Sequence, residues 1–160
     1  MAAGGTTVYV PINDMNDTRN GEWLDPETAR PGVSAVNAVT GEVLWSHVQE
    51  NVCGEGRPFC DPGVSAAITA TEGAVIAGHL DGIIRIYDRD SGEIVWSYNT
   101  TMPVTGTNGV VAQGGGMSGS GPALGAGYMV INSGYGLYNH EAGNALLVFA
   151  PKGTGSVSAR

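Results

Sequence analysis

Apolar and polar positions alternate with period two in short runs, and the runs are separated by turns rich in Gly, Asp and Ser. The clearest case is residues 83–98, IIRIYDRDSGEIVWSY. Ile84 and Ile86, then Ile94 and Trp96, keep that period on either side of Arg89-Asp90-Ser91-Gly92, so the stretch reads as two strands of a hairpin. The pattern recurs 51 residues earlier, where residues 33–47 read VSAVNAVTGEVLWSH. Gly92, Glu93, Trp96 and Ser97 fall on Gly41, Glu42, Trp45 and Ser46; Ile94 meets Val43, Val95 meets Leu44, Ser91 meets Thr40 and Asp88 meets Asn37. A hairpin repeated at this period marks a repeat architecture.

The rest of the chain fits the same unit. Residues 6–11 form a short strand, and residues 13–31 a polar loop. Residues 33–38 and 42–48 form the first hairpin, and residues 49–63 a Gly- and Pro-containing loop. A complete four-stranded unit follows at 64–71, 74–78, 83–88 and 94–98, joined by turns at Glu72-Gly73, Asp81-Gly82 and Asp90-Ser91-Gly92. After a long loop at 99–121, residues 122–125, 128–132 and 144–150 repeat its first three strands. With the strands of a unit called a to d, the chain reads b, c, d of one unit, a, b, c, d of a second, and a, b, c of a third. This predicts an all-β fold: a partial β-propeller of four-stranded antiparallel blades, with blade pieces at about 6–48, 64–98 and 122–150. Rings of this kind take typically 4–8 blades, so the expectation is a fragment of a longer propeller. Residues 151–160 carry no apolar pattern and are expected to form a disordered tail.

Composition agrees with this reading. The 26 glycines among 160 residues suit many tight turns and work against helices. The net charge of −8, with no basic cluster, makes nucleic acid an unfavoured partner. The apolar windows are of strand length, so no membrane span is expected, and the N-terminal Met-Ala-Ala-Gly-Gly lacks the basic and apolar regions of a signal peptide. Six residues lie between Cys53 and Cys60 in CGEGRPFC. With no second pair and no nearby His, a metal site is disfavoured, which leaves a loop-closing disulfide in an oxidising compartment or two free thiols.

The meander places function on one face. Turns a–b and c–d leave one end of each blade and are minimal here, whereas residues 13–31, 49–63, 99–121 and 134–143 all leave the other end. Long loops on a rigid scaffold are where binding concentrates. The run 114–121, GGGMSGSG, lacks the Lys of a P-loop and reads as a flexible crossing or a close backbone approach to a flat ligand. Arg57 reads as a solvated charge or a carboxylate clamp, and residues 132–136 as turn chemistry. Trp45 and Trp96, at one repeat position, read as packing residues, and so does His47, which takes the place of Tyr98. Asp81-Gly82 reads as a turn with His79 solvated at its edge; His140-Glu141 lies in a loop without a paired motif. No Gly-x-Ser-x-Gly, His-Glu-x-x-His or EF-hand pattern occurs.

The hairpins TGEVLW and SGEIVW resemble the tryptophan-docking repeat of pyrroloquinoline quinone (PQQ) propellers. The stretch 79–96, HLDGIIRIYDRDSGEIVW, is similar to their blade consensus and only superficially like a WD-repeat blade. CGEGRPFCDPGVSAAITA, GGGMSGSGPAL and VINSGYG are similar, in order, to the C-terminal part of the polyvinyl-alcohol dehydrogenase-like group. This resemblance implies an exported bacterial oxidoreductase, periplasmic or secreted, that oxidises a small or polymeric alcohol by hydride transfer to PQQ. Calcium would act as the Lewis acid, a carboxylate as the base and a cytochrome c as electron acceptor. It also implies that cofactor contacts fall among Arg57, Ser65, Asn108, Met117 and Ser118. It assigns neither calcium ligands nor a catalytic base; Asp14, on the elaborated face, reads better as a turn residue. The adjacent-cysteine disulfide that covers PQQ in many such enzymes is absent. The alternative is a non-catalytic scaffold propeller, like the outer-membrane assembly lipoprotein with similar repeats.

Overall fold

The computed structural model describes residues 1–18, 21–23, 25, 27–54, 57–135 and 140–151. Among them there is no helix. In the first blade, β1 (Ala2–Gly4) pairs with β2 (Thr7–Ile12), and β2 leads into a small hairpin of β3 (Asn16–Thr18) and β4 (Gly21–Trp23). The chain then returns through β5 (Gly32–Asn37) and β6 (Val43–Val48), completing the antiparallel order β1-β2-β5-β6. The second blade is β7 (Thr69–Ala70), β8 (Ala74–Gly78), β9 (Ile83–Asp88) and β10 (Ile94–Asn99), in that order across the sheet. A short hairpin of β11 (Val104–Thr105) and β12 (Val111–Ala112) precedes the third blade, formed by β13 (Ala123–Gly125), β14 (Tyr128–Ser133) and β15 (Ala145–Phe149). The protein is a partial β-propeller.

Three details differ from expectation. The first blade has its inner strand: β1 is built from Ala and Gly, without the β-branched residues that announce a strand. It is set by Gly5 at φ 64° in the two-residue turn before β2. The inner strand of the second blade shrinks from residues 64–71 to Thr69–Ala70, because residues 64–68 are irregular chain, bent at Ala66, that buries Val64 and Ile68 in the core without ladder pairing. The loops at 13–31 and 99–121 each carry a hairpin. The expected tail lies, beyond Pro151, outside the described residues.

The repeat is exact in register where the sequence is. Ala35 faces Trp45 and Val36 faces Val43, while Ile86 faces Trp96 and Tyr87 faces Ile94. Both hairpins therefore carry a bulge at the same place, leaving Leu44 and Val95 unpaired. The Asn37 side-chain oxygen accepts from Val39 N and Thr40 N, and Asp88 Oδ1 accepts from Asp90 N and Ser91 N. That is why these two positions match across the repeat: each caps the c–d turn with a short side-chain acceptor.

The core lies between blades. Because neighbouring residues of a strand face opposite ways, the second blade buries both faces. Val75, Ala77 and Tyr87 meet Tyr9, Val33 and Ala35 of the first blade, while Ile76 and Ile84 meet Met117 and Met129 and Ile131 of the third. Trp45 docks between Tyr9 and Tyr87, with ring centroids 6.0 and 6.4 Å away, and its Nε1–H donates to Arg89 O at 2.9 Å. It lies across Gly92, where any Cβ would come within 2.5 Å of the indole. Arg89 sits over the Tyr9 ring and donates to Tyr9 OH and Gly4 O. By pairing register, Ile76 holds the place of Tyr9 in the second gap and Pro151 that of Arg89. Smaller side chains leave a cleft of about 900 Å³ there, beside Trp96, Tyr98 and Phe149.

Candidate functional site

The long connections gather on one end of the blades. Residues 49–68 and 100–122 run from an outer strand to the next inner strand, and residues 79–82 and 134–144 join middle strands on the same face. Cys53 and Cys60 are joined in a disulfide, which ties off the loop carrying Arg57. From that loop the Arg57 guanidinium donates to Asp81 O at 2.9 Å and forms a two-point ion pair with Glu141, Nε meeting Oε1 at 3.3 Å and Nη2 meeting Oε2. Arg57 is a carboxylate clamp, and the carboxylate belongs to its own chain. One arginine thereby links the disulfide loop, the second blade and the third.

Beneath this pair is a buried polar layer. His79 is fully buried, not solvated. Its Nδ1 is 2.7 Å from Pro62 O, which can only accept, so Nδ1 carries the proton and Nε2 accepts from Tyr87 OH at 2.9 Å. Burial first, then the Arg85 charge, lower the His79 pKa to about 4. Burial likewise pushes the Tyr87 hydroxyl above its ordinary value. Arg85 and Asp81 form a buried two-point pair at 3.1 and 2.7 Å, and Asp81 Oδ1 also accepts from Ile83 N. With both His79 nitrogens engaged and both charges matched, this layer braces the face and offers no free base.

The glycines of the crossing are occupied by protein. A Cβ on Gly114 would strike Thr100 and Ser133, and one on Gly115 would strike the backbone of Glu141 and Ala142. Ser133 Oγ joins Thr100 Oγ1 at 2.6 Å and receives Gly115 N at 3.1 Å. Close approach of two segments of this chain is what the glycines serve.

The residues implicated by the sequence are dispersed. Ser65 is exposed at the start of the stretch leading to β7. Asn108 is exposed in the β11–β12 turn, where its Oδ1 accepts from Val110 N at 3.0 Å, with Gly109 at φ 77°. Met117 points into the core with its sulfur against Gly78, and Ser118 lines a small recess of about 30 Å³ with Asn132 and Tyr135. Asp14 lies at φ 56° and accepts from Arg30 N, as a turn residue does. From the sequence, His79, Asp81 and Glu141 read as a solvated, a turn and a loop residue, and Arg85 is not singled out. The partner of Glu141 lies 84 residues away, with no local spacing to reveal it, whereas Asp81 and Arg85 stand only four residues apart across the turn into β9.

Among the described residues no three His, Cys, Asp or Glu side chains converge to hold a metal. Arg57 is already engaged by Glu141. The described residues therefore do not make a calcium site by themselves, and no chemical step is assigned to them.

Four-stranded blades with repeated docking tryptophans define a propeller of the PQQ-repeat class. The chain belongs to the PQQ_2 family, described as outer membrane protein assembly factor BamB, whose model matches residues 15–145. It is 33% identical over 163 residues to a polyvinylalcohol dehydrogenase of Pseudomonas sp., covering 96% of this chain and 24% of that protein. It is 32% identical over 145 residues to the polyvinylalcohol dehydrogenase of Sphingopyxis sp. strain 113P3, covering 89% and 21%. A quinohemoprotein alcohol dehydrogenase of Pseudomonas putida is 32% identical over 71 residues, 44% of this chain and 10% of that protein. The chain thus spans about a quarter or less of the length of the relatives it matches.

Proposed function

We propose that this chain is a propeller segment of a quinone-dependent alcohol dehydrogenase, which oxidises alcohols by hydride transfer to PQQ. The observation that carries this reading is the extent of similarity to the polyvinylalcohol dehydrogenases. A match over 96% of the chain takes in the disulfide loop and the Gly-rich crossing as well as the strands. In this reading the segment contributes a wall of the propeller and its braced loop face. The quinone, the calcium ion and the base that takes the hydroxyl proton are held chiefly by residues outside it. The Cys53–Cys60 disulfide supports an extracytoplasmic location, periplasmic or secreted, since structural disulfides persist in oxidising compartments. A cytochrome c is the proposed electron acceptor. The family description favours a second reading, a non-catalytic propeller that serves outer-membrane protein assembly.

The test is dye reduction by the full-length protein carrying this segment, loaded with PQQ and calcium, on a panel of short, secondary and polymeric alcohols. Quinone-dependent turnover is expected. Full PQQ occupancy without turnover on any alcohol defeats the enzyme reading, and failure to bind PQQ at all favours the scaffold.

A further inference from the structure

Where the end of β2 meets the connection between the first two blades, on the face of the long loops, oxygens gather without matching donors. Asn13 directly follows β2, and its Oδ1 is buried with no hydrogen-bond partner. A buried amide oxygen left unbonded is costly and calls for an explanation. A Cβ added to Gly63 would stand within 2.6 Å of Asn13 Oδ1, Asn13 O and Asp61 Oδ1 together. Three oxygens thus crowd one small volume that a side chain at Gly63 would fill. Asp61 is only 2% exposed. Neighbouring backbone N–H groups are already committed: Gly63 N donates to Asp61 Oδ1, Val64 N to Ile12 O at 3.1 Å and Leu80 N to Gly63 O at 2.9 Å. The turn that carries Asp61 is held firmly, since His79 Nδ1 donates to Pro62 O at 2.7 Å and Cys60 is bonded to Cys53. Amide, carbonyl and carboxylate oxygens converging on rigid chain are the donors a hard cation takes, and metal coordination is one way a buried charge is accommodated. Only one of the three is a carboxylate, so no cluster of His, Cys, Asp and Glu marks the place among the described residues.

We propose that Asn13 Oδ1, Asn13 O and the Asp61 carboxylate are this segment's share of a calcium site. Calcium takes about 6–8 oxygen ligands, so the remaining donors come from outside the described residues. The donor set stands on the geometry; the choice of calcium among hard cations rests on the alcohol-dehydrogenase reading. The ion ties the end of β2 to the loop that leads into the second blade.

The experiment titrates calcium chloride into the EDTA-stripped full-length protein, with and without PQQ, by isothermal titration calorimetry. Wild type binds calcium, and the dissociation constant rises about tenfold or more in Asn13→Ala and in Asp61→Asn. Asn13→Asp keeps the oxygen, adds charge and binds calcium at least as tightly as wild type. If the Asn13 amide instead turns its nitrogen towards Asp61, Asn13→Asp sets two carboxylates against each other, lowers the melting temperature in EDTA and weakens calcium binding, and the proposal falls. Circular dichroism in EDTA checks that each variant is folded; the two Asn13 variants decide the matter if Asp61→Asn is not. No binding by wild type in either state, or unchanged binding by Asn13→Ala, overturns the assignment. Alcohol oxidation is measured separately. Calcium held through Asn13 without turnover on any alcohol defeats the enzyme reading and leaves the site standing. Turnover whose calcium requirement both alanine and asparagine variants leave unchanged defeats the site and leaves the enzyme reading standing.

Discussion

Gly41 and Gly92 occupy the same position in two copies of one turn, at φ 75° and 74°, yet they face different surroundings. Replacing either by Ala forces a side chain into the left-handed region, at about 1–2 kcal/mol. At Gly41 nothing lies within 4 Å of the new Cβ, so the backbone cost is the whole cost. At Gly92 the Cβ would stand 2.5 and 2.6 Å from Cε3 and Cδ2 of Trp45, inside normal contact distance, and the indole must move. Moving it loosens the bond to Arg89 O, worth about 1 kcal/mol. It also disturbs the ring contacts with Tyr9 and Tyr87, worth about 0.5–1.5 kcal/mol each. Gly92→Ala should therefore cost about 3–6 kcal/mol, against about 1–2 kcal/mol for Gly41→Ala. Urea unfolding followed by far-ultraviolet circular dichroism measures both. In a Trp45→Ala background the collision is gone, so Gly92→Ala should fall to the Gly41→Ala value, a coupling of about 2–4 kcal/mol. Equal costs for the two alanines in the wild-type background would refute the idea that indole docking on Gly92 joins the first two blades.

His79 supplies a pH dependence. Its pKa is lowered from 6.5 to about 4 on folding, so between these values the unfolded chain takes up a proton that the folded chain refuses. Stability should be full above pH 6.5, fall by about 3 kcal/mol on acidification to pH 4, and show no further loss from this residue below that. His79→Gln should flatten the slope in melts across that range; an unchanged slope removes His79 as its source. The buried Asp81–Arg85 pair predicts that Asp81→Ala, which strands a guanidinium, costs about 3–5 kcal/mol. The double change Asp81→Asn with Arg85→Met should recover most of that. If the double variant is no more stable in urea than the single one, the stranded charge is not the cause.

The strand pattern was legible where side chains announce it. Ile84, Ile86, Ile94 and Trp96 alternate cleanly, and the match of Asp88 to Asn37 preserved a turn cap as well as a register. The inner strand Ala2–Gly4 was missed because three small residues carry no periodic signal. The β11–β12 hairpin did carry one: Asn108-Gly109 is a strong turn dipeptide, and its Asn proved to be the turn residue. The site was less legible than the fold. The spacing of Cys53 and Cys60 suggested a closed loop, yet nothing near Arg57 named Glu141 as its partner, since ion pairs between loops are a product of the tertiary fold. His79 was misjudged because Gly-His beside a turn looks solvated from sequence. Its burial comes from residues 61–64 folding over it, with Pro62 O as its acceptor.

The unequal filling of the two gaps between blades bears on how the molecule comes apart. In a repeat protein, stability is close to a sum of unit terms and nearest-neighbour interfaces. The first interface has Trp45 docked between two tyrosines with Arg89 donating across it, whereas the second has Trp96 and Tyr98 against Phe149 but Ile76 and Pro151 in the places of Tyr9 and Arg89, and an open cleft beside them. The less filled second interface is therefore the one expected to open first when the fold comes apart, with the first two blades parting last. Glu141 lies on the third blade, so opening of that interface would also part the carboxylate from Arg57 and release the anchor of the disulfide loop.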